Sequence, residues 1–280
     1  MANKNPLLDG MGYALKLSYV TLIVRGFTEH HGTKIVIFNQ AAKMKYKKFV
    51  RYYSYSRISK YYKAAKHSKA KAMMLYYGNL KIAQAFHPLL GVLEVILRNR
   101  LHSELAKHFD DGNWIINQQS GFMKSPLLIK KNKRTGVTLT NDYLFREVSK
   151  AEQKLKNKGV NITAGRIIAE QTLGFWISFF DLIHYKILKG VPIQAFQKLP
   201  AGYGRKEVYE ALNKIRDFRN RINHNESICF VGRRLDFSYA KEIYQTITQI
   251  LNWIDPDIQS SLYEIDRVLK VIEKEENKQQ

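Results

Sequence analysis

The stretch HPLLGVLEVILRNRLHSELAKHF, residues 87–109, restricts the fold most. Its apolar side chains Leu89, Leu90, Leu93, Ile96, Leu97, Leu101 and Leu105 recur at intervals suited to one face of an α-helix. A half-buried strand would need strict alternation, which this stretch lacks. Pro88 fits the first turn, where its missing N–H is not needed. Glu94 and Arg98 lie four apart and are expected to pair on one face.

The helical period returns along most of the chain. SRISKYYKAAKH predicts a short helix with Ser56 as a candidate N-cap, and KAKAMMLYYGNLKIAQAF a second helix ending before Pro88. NDYLFREVSKAEQKLKNKG predicts another, with Asn141 able to cap it and Gly159 to end it. TAGRIIAEQTLGFWISFFDLIHYKIL is strongly apolar, and Phe175, Trp176, Phe179 and Phe180 are expected in the core. RKEVYEALNKIRDFRNRINHNES carries Val208, Leu212, Ile215, Phe218 and Ile222 on one stripe. AKEIYQTITQILNWI and DIQSSLYEIDRVLKVIEKEE complete the set. The expected fold is all-α, an antiparallel helical bundle with a short irregular or hairpin-like N-terminal extension.

Two segments depart from this pattern. Residues 1–43 contain strand-like runs, YVTLIV and KIVIFNQ. They read either as an N-terminal extension with a loose hairpin or as a leader that precedes a start at Met44. Residues 110–140 hold DDG, QQSG and the basic run KKNKRTG, and predict a loop or a small helix plus loop. The expected organisation is therefore an extension over 1–43, a helical domain over 44–265, and a helix end with a fraying tail over 266–280.

Net charge is +22. So large a charge describes partners rather than fold, and the expected partner is a polyanion: nucleic acid first, an acidic membrane surface second. From residue 30 to residue 93 there is no Asp or Glu, while Tyr46, Tyr52, Tyr53, Tyr55, Tyr61, Tyr62, Tyr76 and Tyr77 are interspersed among Lys and Arg. Cations neutralise phosphates and tyrosine rings offer faces to unstacked bases, a combination suited to single-stranded RNA. The same tyrosines also suit half-buried helix positions. Lys130, Lys131, Lys133 and Arg134 make the 124–134 loop a second candidate RNA contact.

One cysteine, Cys229, allows no disulfide within the chain and reads as a buried thiol. No His/Cys cluster or other cofactor motif appears, so no metal or cofactor is expected. The best apolar run, YALKLSYVTLIV, falls short of the roughly 20 residues of a membrane span. The expectation is a cytoplasmic protein without a membrane partner.

The stretch IRDFRNRINHNES, residues 215–227, concentrates Arg216, Arg219, Asn220, Arg221, His224 and Asn225. Asn220 and His224 are four apart and share a helical face, with Arg219 on its flank. Asn225 and Ser227 disfavour more helix, so His224 is expected in the last turn, where the helix dipole favours an imidazolium. An imidazole titrating near ~6.5 can exchange protons at cellular pH. RNA cleavage by 2′-OH attack needs such a group, plus positive charge on the phosphorane, which a guanidinium supplies bidentately. Polar residues near a helix end also serve simply as caps, and spacing alone leaves both readings open.

RNRINHNE resembles the signature of the HEPN superfamily: Arg, a polar residue, three residues, then His. The wider order resembles its Abi-like (abortive infection) branch. That order is ISKYYKAA…LYYGNLKIAQAFHPLLGVLEVILRNRLHSEL, then Trp114, then GRIIAEQTLGFW, then RNRINHNE with WIDP downstream. The resemblance covers about residues 44–256. It implies an α-helical, metal-independent endoribonuclease leaving 2′,3′-cyclic phosphates, acting in phage defence or as the toxin of a toxin–antitoxin pair. By position it makes Arg219 and His224 the catalytic pair and Asn220 the intervening polar residue. Where many Abi-like members carry a second His, this chain has Asn225. Arg98, Arg216 and Arg221 are expected to join the loop lysines in holding RNA. LRNRLH, ending at His102, echoes the motif one residue short and reads as helix-face structure. With one full motif per chain, a homodimer with a composite site is expected; the alternative is an RNA-binding module that grips a structured regulatory RNA without cutting it.

Overall fold

Helix α3 (Lys69–Phe109) runs through 41 residues without a break at Pro88. The sequence pattern predicts two helices there. The Ser68 hydroxyl accepts from the Lys71 N–H to start it, and Asp110, in the left-handed region, ends it. Pro88 deprives the Gln84 carbonyl of its helical donor. Both residues are exposed, so solvent can satisfy that carbonyl, and packing on the opposite face carries the helix through. Phe86, Leu89, Leu90, Leu93, Leu97, Leu101 and Leu105 are buried, and each such side chain contributes about 1.5–3 kcal/mol. By length and composition α3 is long and apolar enough to cross a membrane, and the buried face it packs into the core is what a core helix of this composition shows; the run 13–24 lies outside the described residues.

The structure, a computed structural model, describes residues 44–131 and 134–278. The expected extension 1–43, Lys133, and Gln279 and Gln280 of the tail lie outside these. Residues 44–280 form one unit. It is all-α, with α1 (Tyr46–Tyr53) and α2 (Tyr55–Ala64) packed on the first half of α3. The cap of α2 is Ser54, two residues before the expected Ser56. Between residues 110 and 140 the described residues follow the second expectation, a small helix plus loop, and add a hairpin to it. They hold α4 (Trp114–Asn117), two 3-10 turns, and a hairpin of β1 (Ile129–Lys131) with β2 (Thr138–Thr140), Lys130 opposite Leu139.

Helix α5 (Tyr143–Asn157) starts after Asp142, one residue past the expected cap, and Gly159 ends it at φ 65°. The apolar stretch 163–188 is not one helix. It breaks into α6 (Ala164–Glu170), α7 (Leu173–Ile177), a 3-10 turn over Ser178–Phe180 and α8 (Leu182–Ile187). A segment apolar on every side must be covered on every side. Short turned pieces achieve this, and Phe175, Trp176, Phe179 and Phe180 are all fully buried, as the sequence predicts.

Helix α9 (Arg205–Asn223) and α10 (Ser238–Ile254) are joined through a short ribbon, β3 (Phe230–Val231) with β4 (Arg234–Leu235). They run antiparallel, because Lys214 meets Glu242 while Phe218 meets Tyr239. The final stretch divides into α11 (Asp257–Ser261) and α12 (Val268–Asn277). Helix α12 is part of the core: Val268 and Ile272 are fully buried, and Glu275 reaches Lys81 of α3.

Candidate functional site

Along α9, Val208, Leu212, Ile215, Phe218 and Ile222 are buried at spacings of four, three, three and four. Arg219 follows Phe218 at the edge of this seam, and its side chain heads toward α3 instead of open solvent. There its Nη2 lies 3.0 Å from Glu94 Oε2, with side-chain exposures of 29% and 17%. The expected surface pair of Glu94 with Arg98 is replaced by this interhelical one. Phe86 and Phe218 pack edge to face at 4.7 Å between the same two helices, which fixes their approach.

His224 is the C-cap of α9, just past the last turn, and both it and Asn220 are exposed. The His224 N–H donates to the Asn220 carbonyl at 3.0 Å. Asn225 then takes φ 50°, its N–H donating to Ile222 O and that of Glu226 to Arg221 O. This is a Schellman termination, and Asn is among the few residues that enter it at low cost. Thus Asn225 ends the helix. The carbonyls at the helix end are capped by Arg57 of α2, whose guanidinium donates to His224 O at 3.0 Å and to Asn225 O.

The turn after α9 is held from several sides. Asn79, buried in α3, donates to Glu226 O at 3.0 Å and accepts from the Ile228 N–H at 2.8 Å. Lys60 Nζ donates to Ser227 Oγ at 3.0 Å and stands over the Phe230 ring. Burial and the neighbouring Arg221 lower the Lys60 pKa. Arg221 donates to Ser227 O, pairs with Glu226 at 3.5 Å and lies over Tyr239. Arg221, expected to meet RNA, is therefore engaged as a brace of this turn.

The other expected RNA contacts are spread out. Arg98 is half-buried on α3, one turn beyond Glu94. Arg216 pairs with Asp217 at 3.3 Å, and its stem lies beside Gly174 of α7, close to the Tyr143 hydroxyl. Lys130 is exposed on the β1–β2 hairpin, with Lys131 on the same strand and Arg134 in the turn. Segment Pro126–Leu128, which leads into that hairpin, packs on α8. Of the eight tyrosines, Tyr61 and Tyr76 are buried, Tyr46, Tyr53 and Tyr62 half-buried, and Tyr52, Tyr55 and Tyr77 exposed. Only these last three offer open ring faces. His102 accepts from Trp114 Nε1 at 2.9 Å, and burial lowers its pKa. Burial pushes the Cys229 thiol up to about 12, in keeping with an inert buried thiol.

The sequence reading missed Arg57, Lys60, Asn79 and the role of Glu94. Asn79 left a readable signal, a polar residue in the apolar helical spacing Leu75, Asn79, Ile82, Phe86. Among the described residues no group of three or more His, Cys, Asp or Glu converges as a metal site would. No family model, curated protein or solved structure matches the chain.

Proposed function

We propose that the chain is a metal-independent endoribonuclease of the HEPN type, with Arg219, Asn220 and His224 as its working residues. The observation that carries this is their placement at the C-terminal end of α9. An exposed imidazole and an exposed amide stand on the same helix end as a guanidinium paired with Glu94, within a strongly basic protein. In this reading His224 moves a proton between the 2′-OH, the phosphate and the leaving 5′-oxygen. Arg219 holds charge developing on the phosphorane, and Asn220 positions a phosphate oxygen or the imidazole. The products are a 2′,3′-cyclic phosphate and a 5′-hydroxyl. A cytoplasmic role in phage defence or as a toxin, and a dimer with a composite site, belong to the same proposal.

The Glu94–Arg219 pair also favours a second reading, in which Arg219 is a brace and the fold binds a structured RNA without cutting it. The test is incubation of wild type and His224→Ala with labelled mixed-sequence RNA in excess EDTA. The nuclease reading expects cleavage by wild type alone, with cyclic-phosphate ends. Tight binding by both proteins and cleavage by neither would replace it with the second reading.

A further inference from the structure

Beside the end of α9 lies a cleft of about 340 Å3, lined by residues from two distant parts of the chain. Ser54, Ser56, Arg57, Lys60 and Tyr61 come from α2 and its cap, and Asn225, Glu226 and Ser227 from the turn that follows His224. We propose that this cleft is a phosphate-binding subsite that holds the backbone of an RNA strand next to His224. The inference rests on the proposed function only for the identity of the polyanion.

Four observations carry it. First, its cations are fixed in advance: Arg57 by two backbone carbonyls, Lys60 by Ser227 and the Phe230 ring. Preorganised charges lose little freedom when a phosphate arrives. Secondly, Ser54 and Ser56 join their hydroxyls at 3.0 Å on the rim, and one of them can turn its proton to a phosphate oxygen. Ser56 stands in the first turn of α2, where its N–H lacks a helical acceptor, while the Arg57 N–H is capped by the Ser54 hydroxyl at 3.4 Å. Thirdly, the buried hydroxyl of Tyr61 has no hydrogen-bond partner among the described residues. A ligand oxygen would supply one. Fourthly, the single acid on the rim, Glu226, is engaged by Arg221, which leaves the cleft electropositive. Arg57 donates to the His224 carbonyl itself, so a phosphate held here adjoins the residue proposed to move the proton.

The experiment measures binding of a labelled single-stranded RNA oligonucleotide over a series of salt concentrations, in the His224→Ala background to prevent turnover. Lys60→Gln removes one cation, and Ser56→Asp places a carboxylate on an exposed rim position. Lys270→Gln, on α12, is the control for loss of charge elsewhere. Lys60→Gln is expected to reduce the slope of log K against log salt by about 0.7, one phosphate contact on a single strand. Ser56→Asp should weaken binding further, Lys60→Arg should restore the slope, and Lys270→Gln should leave it unchanged. Wild-type slopes in both Lys60→Gln and Ser56→Asp would overturn the subsite, as would an equal loss in Lys270→Gln. A lowered Tm in Lys60→Arg together with a reduced slope would also overturn it, because the lysine would then be structural. Cleavage by the His224 protein is scored separately. A reduced slope without cleavage keeps the subsite and removes the nuclease; cleavage with an unchanged slope does the reverse.

Discussion

Removing Glu94 tests the interhelical pair at the centre of the site. Its carboxylate stands 3.0 Å from the Arg219 guanidinium, and neither side chain is fully open to water or fully dry. Exposed pairs are worth about 0–1 kcal/mol, whereas truncating one partner of a buried pair costs about 3–5. A half-buried pair falls between, so Glu94→Ala should cost about 2 kcal/mol, and Arg219→Ala a similar amount. For a chain of this size that lowers Tm by about 4–8 °C. The double variant leaves no unpaired charge, so it should lie close to either single one, a coupling of about 1–2 kcal/mol. Urea unfolding of the four proteins measures this cycle. Additivity within about 0.5 kcal/mol would show that the two charges do not stabilise each other, and the account of Arg219 as an oriented seam residue would fall. Glu94→Gln keeps the shape and loses the charge. It should slow RNA cleavage, because Arg219 is no longer oriented, but by less than His224→Ala does. Faster cleavage would mean that Glu94 restrains the site.

Other outcomes follow from single residues. His224→Ala should change stability by less than about 0.5 kcal/mol, since the imidazole is exposed and only its backbone caps the helix; a large loss in urea unfolding would make the residue structural. Gly78→Ala places a Cβ 2.9 Å from Glu275 Oε2. Glu275 is buried and tied to Lys81 and Lys278, so displacing it should cost about 1–3 kcal/mol, offset by about 0.5–1 kcal/mol that Ala gains over Gly inside a helix, and a raised Tm would show that α12 yields easily. Burial lowers the pKa of His184 and of His102. Their unfolded forms bind protons more readily, so stability is complete above about pH 6.5 and declines as pH falls below it. His102→Gln should flatten that decline in thermal scans between neutral and acid pH, and an unaltered profile would exclude His102 as a source. The Cys229 thiol should react with a disulfide reagent only as fast as the protein opens; immediate stoichiometric labelling of native protein would contradict its burial.

The sequence by itself determined the helical class, the buried stripe of α9 and the aromatic core at Phe175–Phe180. Each of these is written in spacings of three and four residues, and short-range sterics and burial enforce that period. It also placed His224 to within a residue of its position at the helix end, because Asn225 and Ser227 signal a stop locally. Only the tertiary structure decided which charges meet. The sequence offered Glu94 an adjacent partner in Arg98, yet the carboxylate takes Arg219, because the α3–α9 packing brings a seam position of α9 against it. Arg57 caps the end of α9 from 167 residues away, and no local pattern could announce that. Pro88 read as a helix start because its chemistry is local, whereas the packing that carries α3 past it is not. Long-range pairing depends on how faces are brought together once the core closes, and it is there that the cleft of Arg57, Lys60 and Ser227 arises.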